Sequence, residues 1–152
     1  MRNPTVLLAI ALLTPAARAA SVEMQRPHIK YMADVDAPCM AHKRGCTTVS
    51  TEFFCGCEQA GDAWKAHPHL IAQPVIYTTT DQVLRHELQH IADIRGALNA
   101  YAAAILLRTF ETEGACTAFV DEEAKTFGHT MKLIYRDTTM RRDGVQIAGP
   151  IE

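Results

Sequence analysis

The sequence predicts an α+β fold, a long helical hairpin packed against a small, mostly antiparallel sheet. Three observations lead there. Apolar residues recur at helical spacing through Val83, Ile91, Ile94, Leu98, Tyr101 and Ile105. The same periodicity returns at Cys116, Phe119, Val120, Phe127, Met131, Ile134 and Tyr135, after a turn around residues 111–114. Ahead of both, residues 47–54 and 75–79 are rich in the β-branched and aromatic side chains that suit strands.

The elements follow in chain order. Arg2, a short apolar run at residues 6–13, the helix breaker Pro15 and the small residues of Ala17-Arg18-Ala19 have the layout of a cleaved secretory signal peptide, residues 1–19. The run is too short to span a bilayer, and no later stretch reaches the roughly 18–20 apolar residues needed, so no transmembrane segment is expected. That leaves residues 20–152 as a single domain of 133 residues, secreted or periplasmic. Without Arg2 and Arg18, 13 basic residues face 17 acidic ones, a formal charge of −4. A mildly acidic chain without a basic cluster gives no electrostatic case for nucleic acid or an anionic membrane.

Five cysteines follow: Cys39, Cys46, Cys55, Cys57 and Cys116. Export makes disulfides the expected state, and the odd count leaves at least one thiol over. The pairing stays open. Cys55-Gly56-Cys57 with Cys39 or Cys46 is also a set that could take a soft metal, whereas His67-Pro68-His69 reads as a scattered surface pair. Pro27, Pro38, Pro68 and Pro74, with Gly45, Gly56 and Gly61, mark residues 20–73 as largely irregular around the strand at 47–54.

Thr79-Thr80-Asp81-Gln82 has the form of a capping box. A helix from about residue 81 to 108 follows, passing through Gly96, where the alternative is a break. The second helical pattern fades near Thr138, and Arg141-Arg142-Asp143-Gly144 reads as a loop.

The first helix carries His86-Glu87-Leu88-Gln89-His90. Residues four apart lie one above the other on a helix face, so both imidazoles can converge on one ion. The carboxylate beside the first imidazole reaches a water at the metal without ligating it. A catalytic zinc needs a third protein ligand and an open position. Asp93 shares the helix face, but His86 to Asp93 spans about 10 Å along the axis; it suits a role holding an imidazole or that of a solvated charge equally. Glu113 is spaced like the downstream glutamate of thermolysin-like enzymes, yet a hairpin would leave it roughly 35 Å from His90. The returning helix would instead bring Tyr135, Asp137 and Asp143 to the metal. His129 and Asp121-Glu122-Glu123 read as a solvated helix face.

Over residues 75–145 the chain resembles a group of small bacterial predicted secreted zinc-dependent proteases. The shared plan is a signal peptide, a helix bearing the HExxH motif, a cysteine opening the next helix and a tyrosine-containing segment near the C-terminus. Cys116 and Tyr135-Arg136-Asp137-Thr138-Thr139 match it. The resemblance implies a His-Gly soon afterwards as third ligand. Here Asp143-Gly144 aligns with it after two extra residues, and an aspartate oxygen is an acceptable zinc donor. The expected site is thus zinc on His86, His90 and Asp143, with Glu113 and Asp137 as alternatives to Asp143. Glu87 is the expected general base toward a peptide or protein substrate, and Tyr135 a core aromatic on the apolar helix stripe or else an oxyanion donor. In peptidases of this kind an edge strand borders the cleft, the place expected for residues 75–79. The rival expectation is a non-catalytic exported metal-binding or interaction protein.

Overall fold

The computed structural model describes residues 20–32 and 44–144. The expected signal peptide and Cys39 lie outside them. Seven elements follow one another: β1 (Ser21–Met24), β2 (His28–Tyr31), β3 (Gly45–Ala60), β4 (Ala63–Thr78), α1 (Asp81–Leu106), β5 (Thr109–Phe110) and α2 (Glu113–Arg142).

Strand alternation builds the centre. Along β4, Ala66, Pro68, Leu70, Ala72, Pro74, Ile76 and Thr78 are buried, while the residues between them are not. That two-residue period puts one face of the sheet against the helices. β3 and β4 form an antiparallel ribbon paired from Gly45 opposite Thr78 to Ala60 opposite Ala63. The other side of β4 takes three short strands: β5 at Trp64 and Lys65, β1 at His69 to Ala72, and β2 at Val75 to Thr78.

The two prolines of β4 fit this arrangement. Gln25 N–H donates to the Ala72 carbonyl and Met32 N–H to that of Thr78. Even-numbered residues therefore aim their backbone groups toward the short strands. Pro68 and Pro74 lie on that side, just before the stretch paired with β1 and between the stretches paired with β1 and β2. A proline has no N–H to give to a ladder, and it falls here where no strand residue is paired.

The expected fold class is corrected on three points. The helices are not a hairpin closed by a turn, because the chain returns to the sheet between them as β5. The sheet is neither small nor mostly antiparallel: β1 and β2 run parallel to β4, so three of five strands share a direction. Residues 55–73, expected to be irregular, are the sheet's central ribbon.

Both helices begin at a threonine. Thr80 Oγ1 accepts from Val83 N–H and Thr112 Oγ1 from Ala115 N–H, each satisfying an otherwise unpaired first-turn donor. α1 runs unbroken through Gly96. α2 continues through Arg141 and Arg142, where a loop was expected. It stops at Asp143, followed by Gly144 with φ +71°, a left-handed conformation that glycine adopts without strain.

The main core lies between β4 and the helices, with Leu70, Ala72, Ile94, Leu98, Ala102, Phe127 and Met131 buried together. Phe53 stacks on Phe127 at 4.9 Å between ring centroids. At the far end a disulfide joins Cys57 of β3 to Cys116 of α2, beside Ala66 and Ile105. Cys46 is also disulfide-bonded, and Cys55 is a free thiol. Among the described residues no helix is long and apolar enough to cross a membrane.

Candidate metal centre

The amphipathic face of α1 that buries Ile91, Ile94 and Leu98 also carries His90 inward, with 5% of its surface exposed. One turn earlier Glu87 is buried at 4%, and His86 stands at the surface. The spacing brings the two rings edge to face with centroids 4.7 Å apart and their Nε2 atoms 3.1 Å apart. The candidate donor atoms of His86, Glu87 and His90 all lie within 4.8 Å of one another. This group can hold a metal ion.

No family model matches the chain, and no curated protein or solved structure is similar to it. The chemistry of the site is therefore read from its own atoms.

Asp143, the residue that caps the C-terminus of α2, brings a further donor to the two imidazoles. Its Oδ1 lies 3.2 Å from His86 Nε2 and 3.3 Å from His90 Nε2. With the 3.1 Å between the imidazoles, these atoms make a nearly equilateral triangle. A tetrahedral ion with bonds of about 2.0–2.1 Å separates its ligands by about 3.3 Å. The residues present thus fit one small ion.

That cleft has a volume of about 760 Å³. One wall is the start of β3, Gly45 to Val49; another is α1 from Gln82 to Ile94; Tyr135, Thr139 and Asp143 of the α2 end form the third. Of residues 75–79, expected to be the edge strand at the cleft, 75–78 belong instead to the twice-paired strand β4. Its neighbour β3 borders the cleft and, among the described residues, pairs only with β4.

Two β3 residues escaped the sequence reading. Thr47 Oγ1 donates to Glu87 Oε2 at 2.8 Å, leaving Oε1 of the buried carboxylate available. Gly45 makes the close approach of β3 to α1 possible. A Cβ there would overlap the Val83 side chain and come within 3.1 Å of the Tyr77 carbonyl oxygen and 3.2 Å of Glu87 Oε1. No motif marks either residue, because both matter only through a contact across some forty positions of chain.

The other candidates fall elsewhere. Asp93 holds neither imidazole; both its oxygens accept from Arg142, at 2.6 Å each. The Arg142 guanidinium keeps that carboxyl below the ordinary aspartate range. Asp137 pairs with Arg141 one turn along its own helix. Glu113 is the first residue of α2, about 45 Å along the axis from Asp143. Tyr135 lines the cleft, its hydroxyl hydrogen-bonded to Thr51 Oγ1 of β3 and its pKa raised by burial. His67 and His69 alternate with the buried residues of β4 and so occupy its other face, His69 Nδ1 pairing with Ser21 Oγ at 2.5 Å. With Cys46 and Cys57 in disulfides, Cys55 has no other free thiol beside it among the described residues to make a soft-metal site. His90 Nδ1 is buried without a hydrogen-bond partner among the described residues, so the polar contacts of that ring run through Nε2.

Proposed function

We propose that the protein is an exported zinc-dependent peptidase in which His86, His90 and Asp143 hold the ion and Glu87 is the general base. The observation that carries this reading is the triangle of donor atoms, 3.1–3.3 Å on each side, beside a buried carboxylate in an open cleft. Zinc bound there supplies Lewis acidity, polarising a carbonyl and acidifying a water.

The chain's own residues do the rest. Glu87 takes the proton of the attacking water and passes it to the leaving amine. Thr47 keeps that carboxylate on the cleft side by occupying Oε2. The β3 wall positions an extended substrate, and the apolar side chains of Val49, Val83 and Ile94 give it something to bury against. Disulfides at Cys57–Cys116 and Cys46 suit an oxidising compartment, in keeping with the signal peptide expected at residues 1–19.

The test is hydrolysis of labelled casein and of a mixed peptide library by the mature chain, with and without Glu87→Gln. General acid–base catalysis is worth about 10²–10⁴-fold. The variant should lose activity on that scale while keeping its zinc; equal activity of both proteins would remove Glu87 from the mechanism.

A further inference from the structure

We propose that Arg142 is a positioning residue for the metal site: by gripping α1 beside the motif, it sets Asp143 between the two imidazoles. The inference rests on the reading of His86, His90 and Asp143 as ligands.

The apolar anchoring of α2 stops short of its end. Phe127, Met131 and Thr138 are buried, whereas Arg141, Arg142 and Asp143 are all exposed. A helix terminus without buried contacts opens at little cost, and a ligand placed there would be loose. Arg141 does not fasten it, because its partner Asp137 belongs to the same helix. Arg142 does. Its Nε and Nη2 donate to the two oxygens of Asp93 at 2.6 Å, and Nη1 donates to Gln89 Oε1 at 3.2 Å. This is the paired-fork geometry that fixes direction as well as distance.

The place of the grip matters. Gln89 adjoins His90, and Asp93 lies three residues beyond it, about 4.5 Å along the axis. The fork thus holds the same stretch of α1 that carries the imidazoles, and the next residue of α2 is Asp143. All three guanidinium nitrogens are committed to Asp93 and Gln89. The neighbouring cation therefore leaves the Asp143 charge to the ion instead of pairing with it. A partner that orients a ligand typically changes metal affinity by about 10–100-fold.

The experiment measures zinc affinity of the mature chain, with zinc alone as ligand, by competition against a chromophoric chelator. Arg142→Gln and Asp93→Asn should each weaken binding about 10-fold or more, and the two together no more than either alone. Arg141→Gln, the control from the same turn, should stay within about twofold. Far-UV circular dichroism checks that each variant is folded. The exchanged pair Asp93→Arg with Arg142→Asp should recover part of the affinity, which a general loss of folding would not allow. Wild-type affinity in both single variants, with weak binding in Asp143→Ala, would overturn the positioning role and leave the ligand assignment standing. Undiminished zinc binding by Asp143→Ala, or none by the wild type, would remove the assignment itself and this inference with it.

Discussion

The two ends of α2 are fastened to the rest of the molecule in opposite ways. At its first turn Cys116 is fully buried and bonded covalently to β3 through Cys57, among Ala66, Ile105 and the Phe110–Phe119 pair. At its last turn the contacts are polar and open: Arg142 and Asp93 each keep about a third of their side-chain surface, and Asp143 30%. The apolar end excludes water and fixes the register of helix on sheet. The polar end leaves charged groups in reach of solvent and ions. On the proposed reading, stability and chemistry belong to different ends of one helix, and each should be open to disturbance without the other.

Removing the disulfide should have the largest effect. Closing a loop of 59 residues is worth about 4 kcal/mol on the chain-entropy account. Urea denaturation of Cys57→Ser/Cys116→Ser should show a loss of that order, with zinc affinity of the folded protein unchanged. A marked loss of affinity at native conditions would mean that the two ends are coupled.

Gly45→Ala should cost about 2 kcal/mol, the usual penalty for forcing a methyl group into an occupied space, because the added carbon overlaps the Val83 side chain and crowds the Tyr77 carbonyl oxygen. Unlike the disulfide variant, it should also impair hydrolysis, since the added carbon presses on Glu87 Oε1. Denaturation and turnover measured on one preparation check both. Thr47→Val removes one hydrogen bond to Glu87 and should lower stability by about 1 kcal/mol. Turnover should fall with little change in zinc affinity, whereas a fall in affinity alone would place Thr47 with the ligands.

The smallest effect belongs to Cys55, at the apolar end. Burial pushes its thiol up to about 11 from 9.0; the Glu123 charge adds to that rise, and a backbone hydrogen bond to His67 opposes it. The folded pKa lies above the unfolded one, so the protonated thiol contributes its stability in full below about pH 9. That contribution is lost as pH rises toward 11. Between those values the urea midpoint should fall more in the wild type than in Cys55→Ala. Alkylation at pH 8 should likewise be slow beside that of an exposed cysteine; fast labelling would show the thiol to be less enclosed.

What could be read from the sequence divides along similar lines. The helical stretches and the His86-Glu87-His90 grouping depend on spacings within a few residues, and such spacings are visible in a string. The β3–β4 ribbon was hidden by Gly56, Gly61, Pro68 and Pro74. They read as chain breakers until the neighbouring short strands show why β4 tolerates prolines at those two places. The two parallel pairings, β1 and β2 with β4, join segments some fifty residues apart and leave no local mark. At the site, Asp143 was named from its place in the chain, but its distance to the imidazoles depends on α2 running on to Arg142 and on the Asp93 contact. Asp93 itself reads in the sequence as a partner for an imidazole or a solvated charge, because the arginine that claims it lies 49 positions away. Thr47 and Gly45 could not have been singled out without knowing which strand crosses α1.

The most direct test is the metal content of the mature chain after purification and zinc exposure, measured by elemental mass spectrometry beside His86→Ala/His90→Ala. One zinc per chain in the wild type and none in the double variant is the expected result. A wild type that carries no zinc, or a double variant that carries as much, would contradict the assignment of the site.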